Sequence, residues 1–136
     1  VQHSLSVLLP VRDAETTLSA SVHDILDLAG DSVERFELLI IDDGSTDATS
    51  EVAHELTSHY PQVRVIRHGT PMGEEAALRL GMKLSQGEVV VTRDTQGKFR
   101  LLKRRYPAPS RSGPSRSGRP SPPNYLNRPK GALART

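Results

Sequence analysis

Four consecutive apolar residues, Leu38-Leu39-Ile40-Ile41, run through the stretch Phe36 to Asp43 with no polar alternation. Such a run suits a strand covered on both faces, as in a parallel sheet. It stops at Asp42-Asp43, and Gly44-Ser45-Thr46-Asp47 then supplies turn and helix-start chemistry. Shorter apolar runs predict three further strands: Leu5 to Leu9, closed by Pro10; Val63 to Arg67; and Val89 to Thr92. Between them the apolar period becomes helical. Leu18, Val22, Ile25, Leu26 and Ala29 predict a helix from Thr16 or Thr17 to Ala29, stopped by Gly30. Ala48, Val52, Ala53 and Leu56 predict a second helix over Asp47 to His59, ended by Pro61. Ala77, Leu80, Gly81 and Leu84 are the expected inner face of a third, Glu74 to Ser85.

The order β-α-β-α-β-α-β predicts an α/β fold: a three-layer α-β-α, Rossmann-like arrangement with a mainly parallel sheet of about four strands. Ligands of such sheets bind outside the carboxyl ends of the strands. Three predicted strands deliver polar residues there: Arg12 and Asp13, Asp42 and Asp43, and Arg93 with Asp94. Carboxylates repel phosphate, but a hard divalent cation can join the two, and Asp94 is placed for that task. Asp43 can accept a hydrogen bond from a base N–H or a ribose hydroxyl. Arg93 or Arg67 can add a cation near phosphates. Taken alone, Asp-Gly-Ser-Thr-Asp is also a well-made turn and cap.

Composition changes the picture in one respect. Net charge is only +2, yet the chain is sharply divided. Residues 1–94 hold 16 Asp+Glu and 7 Lys+Arg, a balance of −9, whereas residues 95–136 hold 11 Lys+Arg and no acidic residue. Seven of the ten prolines also lie in the second part. The expected organisation is a folded domain over 1–97 and a flexible basic Pro/Ser/Arg-rich tail over 98–136. With no cysteine, disulfides and thiolate metal sites are excluded. No apolar run approaches a membrane span and no signal peptide is visible, so the expected location is cytoplasmic, with association to a membrane left open.

Four stretches in order resemble the family 2 glycosyltransferases of the GT-A fold, and the last two look most like the dolichol-phosphate mannosyltransferase branch. They are Ser6-Val7-Leu8-Leu9-Pro10; Phe36 through Asp47; Gly73 with Ala77-Leu78-Arg79-Leu80-Gly81; and Gly87 through Asp94. The resemblance covers about residues 4–97, the nucleotide-binding half of that domain. It implies that Pro10, Arg12 and Asp13 hold the nucleotide and that Asp43, beside Asp42, contacts the base. It also implies that Asp94 opens a DXD motif binding Mg or Mn and the diphosphate of a UDP- or GDP-sugar. That motif reads Asp94-Thr95-Gln96, so Gln96 offers a neutral oxygen where the family has a second carboxylate. Arg12 and Asp13 stand where an aromatic residue and Asn are usual.

The family also uses a catalytic Asp or Glu in its acceptor half, and an inverting transfer needs that base. No acidic residue follows Asp94 in this chain. The first expectation is therefore a glycosyltransferase or its remnant, and the second a non-catalytic nucleotide- or partner-binding module. A third is polyanion binding through the tail, although a nucleic-acid partner is not favoured. An abrupt change of reading frame after about Gln96 would also account for the tail. Self-association is expected at a sheet edge left bare.

Overall fold

The computed structural model describes residues 4–33, 35–93 and 97–105. Eight elements follow in order: β1 (Leu5–Val11), α1 (Leu18–Ser32), β2 (Phe36–Asp43), α2 (Thr49–His59), β3 (Val63–His68), α3 (Glu74–Leu84), β4 (Val89–Arg93) and β5 (Phe99–Arg104). The sheet order is β3-β2-β1-β4-β5, with β5 antiparallel to β4 and all other pairs parallel. The α/β expectation holds, with five strands in place of about four.

Strand alternation divides the core into two layers. Val7 and Leu9 of β1, with Leu38 and Ile40 of β2, pack against α1 and α2. Leu8, Leu39 and Ile41 point the other way, toward Ala77 and Leu78 of α3. β2 is buried along its whole length, as a strand without polar alternation should be. Gly81 lets α3 settle closely on the sheet, since a Cβ there would stand 3.0 Å from methyl carbons of Leu8 and Ile41.

Several boundaries moved. β1 continues through Pro10 to Val11. Pro10 pairs with Ile41 but lies beyond Leu8↔Thr92, the last β1–β4 pair, so its missing N–H removes no bond on that side. α1 passes through Gly30 to Ser32, and Val33 N–H closes it on the Ala29 carbonyl at 3.0 Å. The inner face of α3 is Ala77, Leu78 and Gly81, whereas Leu84 is 38% exposed. Ala77 and Gly81 were expected there and Leu80 is half-buried, so the expectation missed Leu78 and placed Leu84 wrongly.

The folded region also passes the expected boundary at residue 97. β5 covers the outer edge of β4, Leu102 packs against the α3-side core, and Arg105 closes the C-terminal end of α3. The Arg105 guanidinium donates to the carbonyls of Met82 (2.8 Å), Ser85 (3.2 Å) and Gly87 (2.8 Å), and to Ser85 Oγ (2.8 Å). A cation on the last carbonyls of a helix is favourable. Arg105→Ala is expected to destabilise the fold by about 1–2 kcal/mol, read as a lower urea midpoint at unchanged slope. The rest of the basic tail, 106–136, lies outside the described residues. β5 is an edge of the described sheet and carries Arg100, Lys103 and Arg104.

Candidate functional site

β2 and β3 lie to one side of β1, and β4 and β5 to the other. The chain thus changes direction between β1 and β4, which makes the carboxyl ends of these strands the switch point of the sheet. An open cleft of about 390 Å³ lies there, lined by Leu9, Pro10, Val11, Arg12, Asp43, Gly73, Glu74 and Arg93. Pro10, Arg12, Asp43 and Arg93, all expected at a nucleotide site, are therefore brought together. Asp13 and Asp42 do not line it. Asp94 and Gln96, the expected metal ligands, lie outside the described residues.

Asp43 ends β2 and is almost fully buried. Its Oδ1 accepts from Met72 N–H (2.8 Å) and pairs with His68 Nδ1 (2.8 Å), and its Oδ2 accepts from Gly73 N–H (2.8 Å). A carboxylate has about four acceptor positions, so about one remains. Burial pushes the carboxyl pKa up, but the bonds from His68, Met72 and Gly73, with the His68 charge, outweigh it and hold it below 3.8. Asp43 also places its charge beside the amino end of α3, which begins at Glu74.

Asp42 is buried and turned away from the cleft. Arg67 Nη1 donates to its Oδ2 at 3.0 Å, Ser45 N–H donates to its Oδ1 at 3.1 Å, and Arg67 Nη2 reaches the Ser45 carbonyl at 3.2 Å. Arg67 is thereby committed to the β2–β3 side, and of the two cations considered for the phosphates only Arg93 is among the residues lining the cleft.

Asp13 adopts a left-handed backbone, φ +51°, and clasps the β2–α2 loop. Its N–H donates to Ser45 Oγ (2.8 Å) and its Oδ1 accepts from Thr46 N–H (2.8 Å). Ala14 N–H donates to Thr49 Oγ1 (2.7 Å), and Ala48 N–H to Glu15 Oε1 (2.9 Å). Asp47 accepts from Thr49 N–H (2.9 Å), the Thr49 hydroxyl and Glu15 N–H (3.3 Å). The Thr49 hydroxyl is the main reason its carboxyl pKa falls below the ordinary value, against an upward push from desolvation. Gly44, at φ +73°, brings this loop against the next one, since a Cβ would fall 2.6 Å from Pro71 N. Gly44 through Asp47 thus ties two loops together and presents Arg12 at the cleft mouth.

Glu37 carries a role the sequence reading did not assign. It is fully buried at the opposite, amino end of the strands and binds Ser6, Arg64 and Gln86. The available signal was a lone carboxylate at the start of an otherwise apolar strand.

Among the described residues no group of three His, Asp or Glu could hold a metal ion. The cleft carboxylates are Asp43, engaged by three nitrogens, and Glu74. No described helix is long and apolar enough to cross a membrane.

Residues 6–95 match the profile of Glycosyl transferase family 2. An uncharacterized glycosyltransferase of Haemophilus influenzae is 31% identical over 91 residues, covering 67% of this chain and 35% of its own length. Human dolichyl-phosphate beta-glucosyltransferase is 32% identical over 100 residues, covering 68% and 31%. The fold is shared with mannosyltransferase PcManGT from Pyrobaculum calidifontis, solved with GDP-Man and Mn2+ (TM-score 0.61, 19% identity, 69% of this chain and 28% of that one). It is also shared with S. aureus TarS 1-349 in complex with UDP-GlcNAc (TM-score 0.55, 22% identity, 67% and 26%). The chain spans about a third of the length of these curated relatives. With the profile match over most of the chain, this protein belongs to glycosyl transferase family 2.

Proposed function

We propose that the cleft between β1 and β4 holds the nucleoside diphosphate part of a nucleotide-sugar, and that the chain is the donor-binding part of a glycosyltransferase. The observation that carries this reading is the convergence of Pro10, Arg12, Asp43 and Arg93 on one cleft at the switch point. Its volume lies within the ordinary range for small-ligand sites. Asp43 offers its remaining acceptor position to a base N–H or ribose hydroxyl. Arg12 and Arg93 offset the diphosphate charge. Asp13 and Asp42 act one step back by holding the loops that carry Arg12 and Asp43. For the divalent ion, the proposal rests on Asp94 and Gln96 in the sequence. A bound Mg or Mn would offset charge on the departing diphosphate.

Transfer itself needs a base for the acceptor hydroxyl, and no Asp or Glu follows Asp94. The chain's own role in this reading is to bind and orient the donor.

The test is calorimetric titration of UDP and GDP into the protein, with and without Mn2+. Binding of one of them, weakened about tenfold in Arg12→Ala, is expected, since a charge-assisted contact contributes about 1.5–3 kcal/mol. Absence of binding by both nucleotides, with and without metal, would overturn the reading.

A further inference from the structure

Arg93 is a wall shared by two cavities. One is the cleft described above. The other, about 460 Å³, lies along α1 and is lined by Leu9, Ala20, Ser21, Asp24, Ile25, Arg93 and Gly97. The guanidinium is drawn toward the α1 side. Its Nη2 is ion-paired with Asp24 of α1, and its Cζ stands 5.4 Å from the centroid of the Phe99 ring in β5. Gly97, at φ +84°, leaves space beside it, because a Cβ there would come within 3.3 Å of Nη2. The other terminal nitrogen, Nη1, is buried and has no hydrogen-bond partner among the described residues.

These contacts make a weak holding site. Asp24 is 53% exposed, and an ion pair to so exposed a carboxylate contributes little. A buried guanidinium nitrogen without an acceptor is unfavourable. A phosphate oxygen pair can engage both terminal nitrogens of an arginine at once, with charge assistance, which Asp24 does not do here. The guanidinium is thus in reach of a better partner on the cleft side than the one it has.

We propose that Arg93 is a displaceable latch: Asp24 and Phe99 hold it in the ligand-free chain, and a diphosphate in the cleft draws it away and binds both its terminal nitrogens. Asp24 is in this view an internal competitor of the ligand, and it lowers the affinity of the cleft. Opening the latch would also join the two cavities along Leu9. The inference rests on the proposed diphosphate site and deepens it by naming what regulates it.

The experiment is a double-mutant cycle in the full chain: wild type, Asp24→Asn, Arg93→Met and the double variant, each titrated with inorganic pyrophosphate, UDP and GDP. Asp24 is half-exposed on a helix surface, so Asp24→Asn should fold as the wild type does. It is expected to bind about two- to fivefold more tightly, the size of an exposed ion pair that no longer competes. Arg93→Met should bind more weakly, and adding Asp24→Asn to it should bring no gain. Phe99→Leu, which removes the ring but keeps an apolar residue, should shift affinity in the same direction as Asp24→Asn. Equal tightening by Asp24→Asn with and without Arg93 would show a general charge effect and overturn the latch. Unchanged affinity in Asp24→Asn would also overturn it, and in both cases the diphosphate site would stand. Failure of all variants to bind all three probes would remove the latch and the site together.

Discussion

Glu37→Gln is expected to lower stability by about 3 kcal/mol, the low end for breaking a buried charged network. The carboxylate is fully buried, and all its partners are donors. Its Oε2 accepts from Ser6 Oγ at 2.6 Å and Gln86 N–H at 2.7 Å, and its Oε1 accepts from Arg64 Nη1 at 2.9 Å. An amide presents one acceptor and one donor end. Either orientation turns its NH2 against a donor and leaves that donor unpaired. The loss also spreads. Ser6 Oγ accepts from Gly87 N–H at 2.8 Å, and Gly87 sits so close that a Cβ would fall 2.6 Å from the same oxygen. The network therefore joins β1, β2, β3 and the connection into β4. Arg64 is 30% exposed and can be rehydrated, which keeps the effect at the lower end. Urea unfolding of the two proteins checks it. Coincident midpoints would mean that the network adds nothing to stability.

Asp43→Asn is expected to reduce both stability and nucleotide binding. At neutral pH the loss of stability should be about 1–3 kcal/mol, since an amide cannot accept at both ends from Met72, Gly73 and His68. Because the folded carboxyl titrates below 3.8, its contribution is complete above that value and is lost as pH falls through the depressed one. The wild-type advantage over Asp43→Asn should therefore be full at pH 7 and shrink below about pH 3.8. Asp47, also depressed chiefly by the Thr49 hydroxyl, loses its contribution over the same acid range in both proteins. It leaves the variant some acid sensitivity. Unfolding curves at pH 7 and pH 3 separate the two. An advantage of equal size at both would mean that the charge is not its source. In the binding assay, Asp43→Asn should weaken UDP or GDP by about tenfold, the size of one charge-assisted bond.

The local physics of the chain was legible in its sequence. Unbroken apolar runs mark strands buried on both faces, and the helical stripes of α1 and α2 fall where their spacing predicts. The alternation of the two implies a parallel sheet, and a parallel sheet implies which ends carry ligand chemistry. Pro10, Arg12, Asp43 and Arg93 could be placed at that rim for this reason. The sequence by itself thus determined the fold class and the strand ends at which the cleft opens.

Which carboxylates face the cleft was decided only by the tertiary structure. Asp42 and Asp43 are adjacent, and a strand sends adjacent side chains to opposite faces. One face brings Arg67 and Ser45 to Asp42, and the other opens on the cleft. The same holds for Glu37, whose partners lie 27 to 49 residues away. It holds also for β5, whose Arg- and Lys-rich composition reads as a solvated tail until the open edge of β4 gives its backbone a partner. Hydrogen bonds between distant residues depend on register and loop closure, and neither is written in local apolar periodicity.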